Sequence, residues 1–114
     1  MVEGVGTDQF VAWFNELEES DRLAVASAVD LLEMRGLTLP FPYSSAILGS
    51  KIALRELRVQ SRGKPIRVFY AFDPLRQAVL LIGRSDKTGD KRFYERMVPM
   101  AEQIWLDYLK ELAS

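Results

Sequence analysis

Apolar residues at Phe10, Trp13, Phe14 and Leu17 fall at the i, i+3, i+4, i+7 spacing of one helix face. Thr7 stands ahead of that stripe as an N-cap, and Asp8 lies near the positive end of the helix dipole. A second helix starts at Ser20-Asp21. Leu23, Val25, Ala26, Val29, Leu32 and Met34 supply its apolar surface, and Gly36 is its stop. Joined by a short turn, the two predict an αα-hairpin. Residues 37–50 contain Pro40, Pro42 and Gly49 and read as a connector, with a short helical turn at 44–48.

Beyond the connector the pattern changes from helical spacing to strict alternation. In residues 54–60, Arg55, Leu57 and Val59 share one face, and Leu54, Glu56 and Arg58 share the other. In residues 66–72, Ile66, Val68, Tyr70 and Phe72 oppose Arg67, Phe69 and Ala71. Residues 60–64 read as the loop between these strands, and Asp73-Pro74-Leu75-Arg76 as a turn. Residues 78–82 are apolar on both faces, which predicts the most buried strand. Such short connections favour an antiparallel meander. A polar loop over residues 84–89 then leads into helical character from Asp90 to Leu112, where Met97, Ala101, Ile104, Trp105, Tyr108 and Leu112 recur at helical spacing. Pro99 must either open a separate helix or kink a continuous one. With no repeat or linker, residues 1–114 read as one α+β domain: an N-terminal αα-hairpin, an antiparallel sheet of three to four strands, and a C-terminal helix.

Composition narrows the chemistry. The chain has no cysteine, which removes disulfides and thiolate sites, and no histidine, which removes the commonest acid–base group and metal ligand. Asp86 and Asp90 in a lysine-rich loop make a poor metal site, so neither metal nor cofactor is expected. The opening MVEGVGTDQF lacks a basic region followed by an apolar run, and no apolar stretch approaches the ~20 residues of a membrane span. A cytoplasmic protein with no membrane partner is the expectation. The net charge of −1 conceals an asymmetry: residues 1–33 hold eight acidic residues and one basic, whereas residues 51–96 hold twelve basic and five acidic. A basic sheet region of this kind either attracts a polyanion or is neutralised by the acidic helices.

The succession LRELR, RVFY, LLIG and DKTGDKRFYERM resembles the HigB-type toxins of the RelE/ParE superfamily, the toxin halves of bacterial toxin–antitoxin pairs. The shared pattern is an "ELR" strand, a strand centred on an arginine followed by aromatics, an apolar strand ending in glycine, and a basic loop entering a helix. The resemblance implies a RelE-like α+β fold whose sheet has a basic face. It implies an endoribonuclease, an mRNA interferase, that cuts mRNA on the ribosome and is silenced by a cognate antitoxin protein, often one with a helix-turn-helix. Carried over by position, it assigns catalytic roles to Arg67, Arg84, Lys87, Lys91 and Tyr94, and RNA-binding roles to Arg55, Arg58, Lys64 and Arg92. The same fold also carries the ParE branch, which inhibits DNA gyrase by binding it without catalysis, and the missing histidine keeps that alternative open.

Metal-independent RNA cleavage needs a proton acceptor for the attacking 2′-hydroxyl, a donor for the leaving 5′-oxygen, and cations on the phosphorane. Arginine suits the last role because its planar fork binds two phosphate oxygens and stays charged. A lysine in a cationic cluster, such as Lys87 or Lys91, can serve as acid or base, and Tyr94 can donate, accept or stack. Each residue also has a plainer role: Arg67 can pair with a carboxylate such as Glu56, and Lys87, Lys91 and Arg92 can form a solvated face. Trp13 and Trp105, on apolar stripes, read as core.

Overall fold

The computed structural model describes residues 1–86 and 89–114. The polar–apolar pattern becomes a five-stranded sheet between two helical layers. In chain order the elements are β1 (Gly4–Gly6), α1 (Asp8–Asn15), α2 (Glu19–Arg35), a short 3₁₀ turn (Gly36–Thr38), β2 (Ser44–Ala46), β3 (Arg55–Ser61), β4 (Lys64–Phe72), β5 (Ala78–Ser85) and α3 (Phe93–Ala113). The sheet order is β1-β5-β4-β3-β2. The three predicted strands form its antiparallel centre, and the two flanking strands extend it at either edge.

Both edge strands depart from the sequence-based expectation. β1 pairs in parallel with β5, Val5 opposite Val79, although GVG carries no strand signal of its own. The expected helical turn at 44–48 is instead β2, antiparallel to β3, with Ser44 opposite Leu57. Tertiary contacts decide that segment: Arg58 N–H donates to the Tyr43 carbonyl at 2.9 Å, and the buried Ser44 and Tyr70 hydroxyls meet at 2.5 Å.

The helices start and stop for identifiable reasons. Thr7 Oγ1 accepts from Phe10 N–H at 3.1 Å and donates to the Leu81 carbonyl at 2.7 Å, so the α1 cap also fastens the helix to β5. The turn into α2 closes when Arg22 donates to the Leu17 carbonyl at 2.6 Å, and the helix begins at Glu19, just ahead of the predicted Ser20-Asp21. Gly36, at φ +56°, ends α2 as expected. α3 begins at Phe93 rather than Asp90 and runs unbroken through Pro99, so the continuous-helix alternative holds.

One core lies between α1–α2 and the sheet face bearing Leu57, Val59, Ile66, Val68, Tyr70 and Leu80. The other lies between α3 and the face bearing Leu54, Phe69, Ala71, Val79 and Leu81. Trp13 packs against both cores, and Gly83 makes room for it: a Cβ there would lie 2.3 Å from the indole ring. The β4–β5 pairing slips by one residue at Phe69/Tyr70, where Leu80 and Ile82 are the partners and Leu81 is left over as a bulge. Tyr108 of α3 donates to Asp73 at 2.9 Å and ties the helix to the β4–β5 turn. Burial and this carboxylate push the Tyr108 phenol up to about 12.

Candidate active site

The β3–β4 hairpin turns on two residues, Arg62 and Gly63, both at positive φ, the mark of a type I′ turn. Ser61 therefore faces Lys64, and counting outward places Arg58 directly opposite Arg67. On the far side of β4, Arg67 faces Arg84 of β5. Directly opposed residues in a sheet point to the same face, so Arg58, Arg67 and Arg84 form a row across three adjacent strands, about 4.8 Å apart per strand. The row lies on the α3 side, at the end of the sheet where α3 begins.

Like charges in directly opposed positions destabilise a sheet. One carboxylate offsets the row. Glu56, 4% exposed, lies two residues before Arg58 on the same face, and Phe69 and Phe93 pack together beside it. Its Oε2 accepts from Arg58 at 3.2 Å, and its Oε1 accepts from the Tyr94 hydroxyl at 2.7 Å and stands 3.7 Å from Arg67 Nε. That last distance is an ion pair but too long for a hydrogen bond. Arg67 is 6% exposed; one terminal nitrogen donates to the Ile66 carbonyl at 3.3 Å, and its buried Nε–H has no acceptor among the described residues. Burying such a donor unpaired is costly, and the cost is recovered when an anion takes the bond. Arg58 is held from its other side by the Phe41 ring, 5.5 Å from the guanidinium.

Tyr94, in the first turn of α3, packs edge-on against Phe69 and Phe93. Burial, and then the bond to Glu56, raise its phenol above the ordinary value, so at neutral pH it keeps its proton and acts as a donor. The row, Glu56 and Tyr94 together hold cations, a carboxylate and a protonated phenol within one short stretch of the sheet.

The residues singled out from the sequence thus divide. Arg58, Arg67, Arg84 and Tyr94 come together. Lys91 and Arg92 are exposed on the segment entering α3, where Arg92 N–H donates to Asp90 at 3.1 Å. Arg55 and Lys64 lie on the opposite face. Arg55 Nε donates to Ser44 at 3.1 Å, and Lys64 donates to the buried Asp21 of α2 at 2.6 Å. Lys87 lies outside the described residues. Glu56, considered from the sequence only as a structural partner of Arg67, occupies the centre; the register counted from the Arg62-Gly63 turn is the signal that finds it.

The chain resembles known proteins over most of its length. Residues 12–105 match the family described as phage-derived protein Gp49-like. A Mycobacterium tuberculosis protein designated toxin HigB3 is 42% identical over 97 residues, covering 83% of this chain and 82% of the relative. A second protein of that organism, designated toxin HigB2, is 28% identical over 106 residues, covering 91% of this chain and 53% of the relative. The chain therefore belongs to the phage-derived Gp49-like family, as a HigB-type member with the α+β architecture described above.

Proposed function

We propose that this chain is the toxin of a toxin–antitoxin pair and inhibits translation by cleaving mRNA without a metal. The observation that carries the reading is the row of Arg58, Arg67 and Arg84 beside a single carboxylate, an excess of positive charge that sheet stability does not call for. In the reaction, Glu56 accepts the proton of the 2′-hydroxyl as that oxygen attacks the adjacent phosphate. Arg67, whose Nε–H has no hydrogen-bond acceptor among the described residues, and Arg58 bind the non-bridging oxygens as charge builds on them. The Tyr94 hydroxyl protonates the 5′-oxygen as its bond to phosphorus breaks, leaving a 2′,3′-cyclic phosphate and a 5′-hydroxyl. Glu56 then returns its proton to the Tyr94 phenolate along their 2.7 Å hydrogen bond, which restores both groups.

Glu56 is enclosed by its three partners, so a substrate must displace at least one of them. A ribosome that presents the mRNA strand in a fixed path would supply that alignment. A cognate antitoxin protein holds the toxin silent, by covering the basic face or by contacting the helices.

The deciding experiment is induced expression in a growing bacterium, wild type beside Arg67→Ala, with mapping of mRNA 5′ ends. New ends inside coding frames in the wild type alone are expected. Growth arrest with intact mRNA would overturn cleavage and select a gyrase-binding toxin.

A further inference from the structure

Arg84, the last member of the row, has no ion-pair partner among the described residues. It stands at the mouth of a cleft of about 500 Å³ between α1 and α3, along the part of β5 that β1 does not pair with. That volume lies within the range of about 300–1,000 Å³ typical of small-molecule sites and is too small for a docked helix. Trp13, Phe93, Met97 and Met100 supply apolar walls, and Arg84 and Arg96 supply positive charge at the rim. Asp90 pairs with Arg96, so Arg84 is the cation left for an outside anion. Trp13 is half-buried and sits flat over the side-chain-free Gly83, which leaves part of the indole on the cleft wall.

We infer that this cleft receives one nucleobase of single-stranded RNA, stacked against Trp13, while the phosphate of the same nucleotide is held by Arg84. The inference rests on the RNA-cleaving reading of the neighbouring site and extends it with a specificity element. Charge complementarity selects the occupant. An apolar slot next to an uncompensated guanidinium, continuous with a row of two more, matches a chain that alternates flat apolar rings with anions. The Arg84 guanidinium on the rim also disfavours a cationic peptide. The cleft's position beyond Arg84, on the side away from Glu56, places the bound base about one nucleotide from the scissile phosphate, so it reads a neighbour of the cut.

The test is a titration of the full-length ¹⁵N-labelled protein with a 2′-O-methylated, hence uncleavable, RNA trinucleotide, and with the same trinucleotide made abasic at each position in turn. The Trp13 indole N–H signal, assigned by its disappearance in Trp13→Phe, reports the cleft, and the signals of Arg58 and Arg67 report the row. The intact oligonucleotide is expected to move all of them. Loss of the base at one position should weaken binding about tenfold and leave the Trp13 signal still, the size of one stacking contact. Met100→Glu places a carboxylate in the cleft from a residue that is 41% exposed and therefore free of the core, and should erase the preference for that base. Movement of Arg58 and Arg67 with a stationary Trp13 signal would overturn the base site and leave the nuclease reading intact. Protein signals that stay still throughout, together with no new 5′ ends in cells, would overturn both.

Discussion

Two carboxylates are buried against opposite faces of the same sheet, and each is bound by a hydroxyl and a cation. Asp21 of α2 accepts from Ser61 and Lys64, both at 2.6 Å, and clasps the tip of the β3–β4 hairpin to the helix. Glu56 accepts from Tyr94 and Arg58 and lies near Arg67. Around Asp21 the account is balanced, one acid against one lysine, and Lys64 and Ser61 hold its carboxyl below the usual range despite burial. Around Glu56 it is not: two arginines share the carboxylate and a third stands one strand further on. A satisfied buried ion pair is what stability asks for, whereas a surplus of directed cations is what a reacting phosphate asks for. Chemistry of the same kind thus serves as a clasp on one face and a site on the other.

Exchanging charge for an isosteric amide at each centre separates them most sharply. Glu56→Gln should lower the mRNA cleavage rate by about 100-fold or more, the scale of a lost general base. Cleavage of a reporter message in a purified translation system measures it, and a rate close to wild type would reduce Glu56 to a partner of the arginines. Tyr94→Phe in the same assay should cost about 10- to 100-fold, since the ring packing survives and the proton donor does not. At the other centre, Asp21→Asn should leave the cleavage rate of folded protein unchanged and lower stability by about 1–3 kcal/mol in urea denaturation, the cost of breaking a buried polar pair.

Acid should expose the same division. Because the Asp21 carboxyl titrates lower in the folded than in the unfolded chain, where it titrates near 3.9, its contribution is complete above about pH 4. It is lost as pH falls through the lowered native value. Stability curves from pH 7 to 2 should therefore be less steep on the acid side in Asp21→Asn than in wild type. A residual slope is expected from Glu102, which the Lys51 N–H and the Ser50 hydroxyl also hold low. The smallest effect belongs to Lys64→Gln: less than about 1 kcal/mol of stability, because the ammonium is partly exposed, and no change in cleavage. A clear loss of cleavage there would place Lys64 in the RNA path and blur the contrast between the two faces.

Much of this could be read from the residues alone, and the exceptions have physical causes. Alternation in residues 54–60 and 66–72 assigned every side chain to the correct face of its own strand, and helical spacing located α1, α2 and α3. Faces of separate strands become comparable only through the register. That required seeing Arg62-Gly63 as a two-residue turn inside what reads as a five-residue loop. Without the register, Lys64 looked equivalent to Arg58 and Glu56 looked peripheral; Arg55, already on the other face of its own strand, was carried over by the resemblance alone. The edge strands were hidden for a different reason. Gly4–Gly6 and Ser44–Ala46 have no intrinsic β preference and are recruited by neighbours already in place.

The leftover Leu81 has a consequence for the arginine row. Below it, β4 and β5 pair as Tyr70 with Leu80; continued without interruption, that phase would set Gly83 against Arg67 and turn Arg84 toward the α1–α2 core. The extra residue advances β5 by one, so glycine falls under Trp13 and arginine falls in line with its two counterparts. Flattening the bulge with Leu81 still in the chain would keep all three arginines, yet it would exchange the two neighbours' places, burying a guanidinium where an indole now rests. Deleting Leu81 would instead leave Arg84 opposite Arg67. The bulge acts as a gear tooth: the composition of the site is written in the residue types, but its assembly depends on one residue being left out of the pairing.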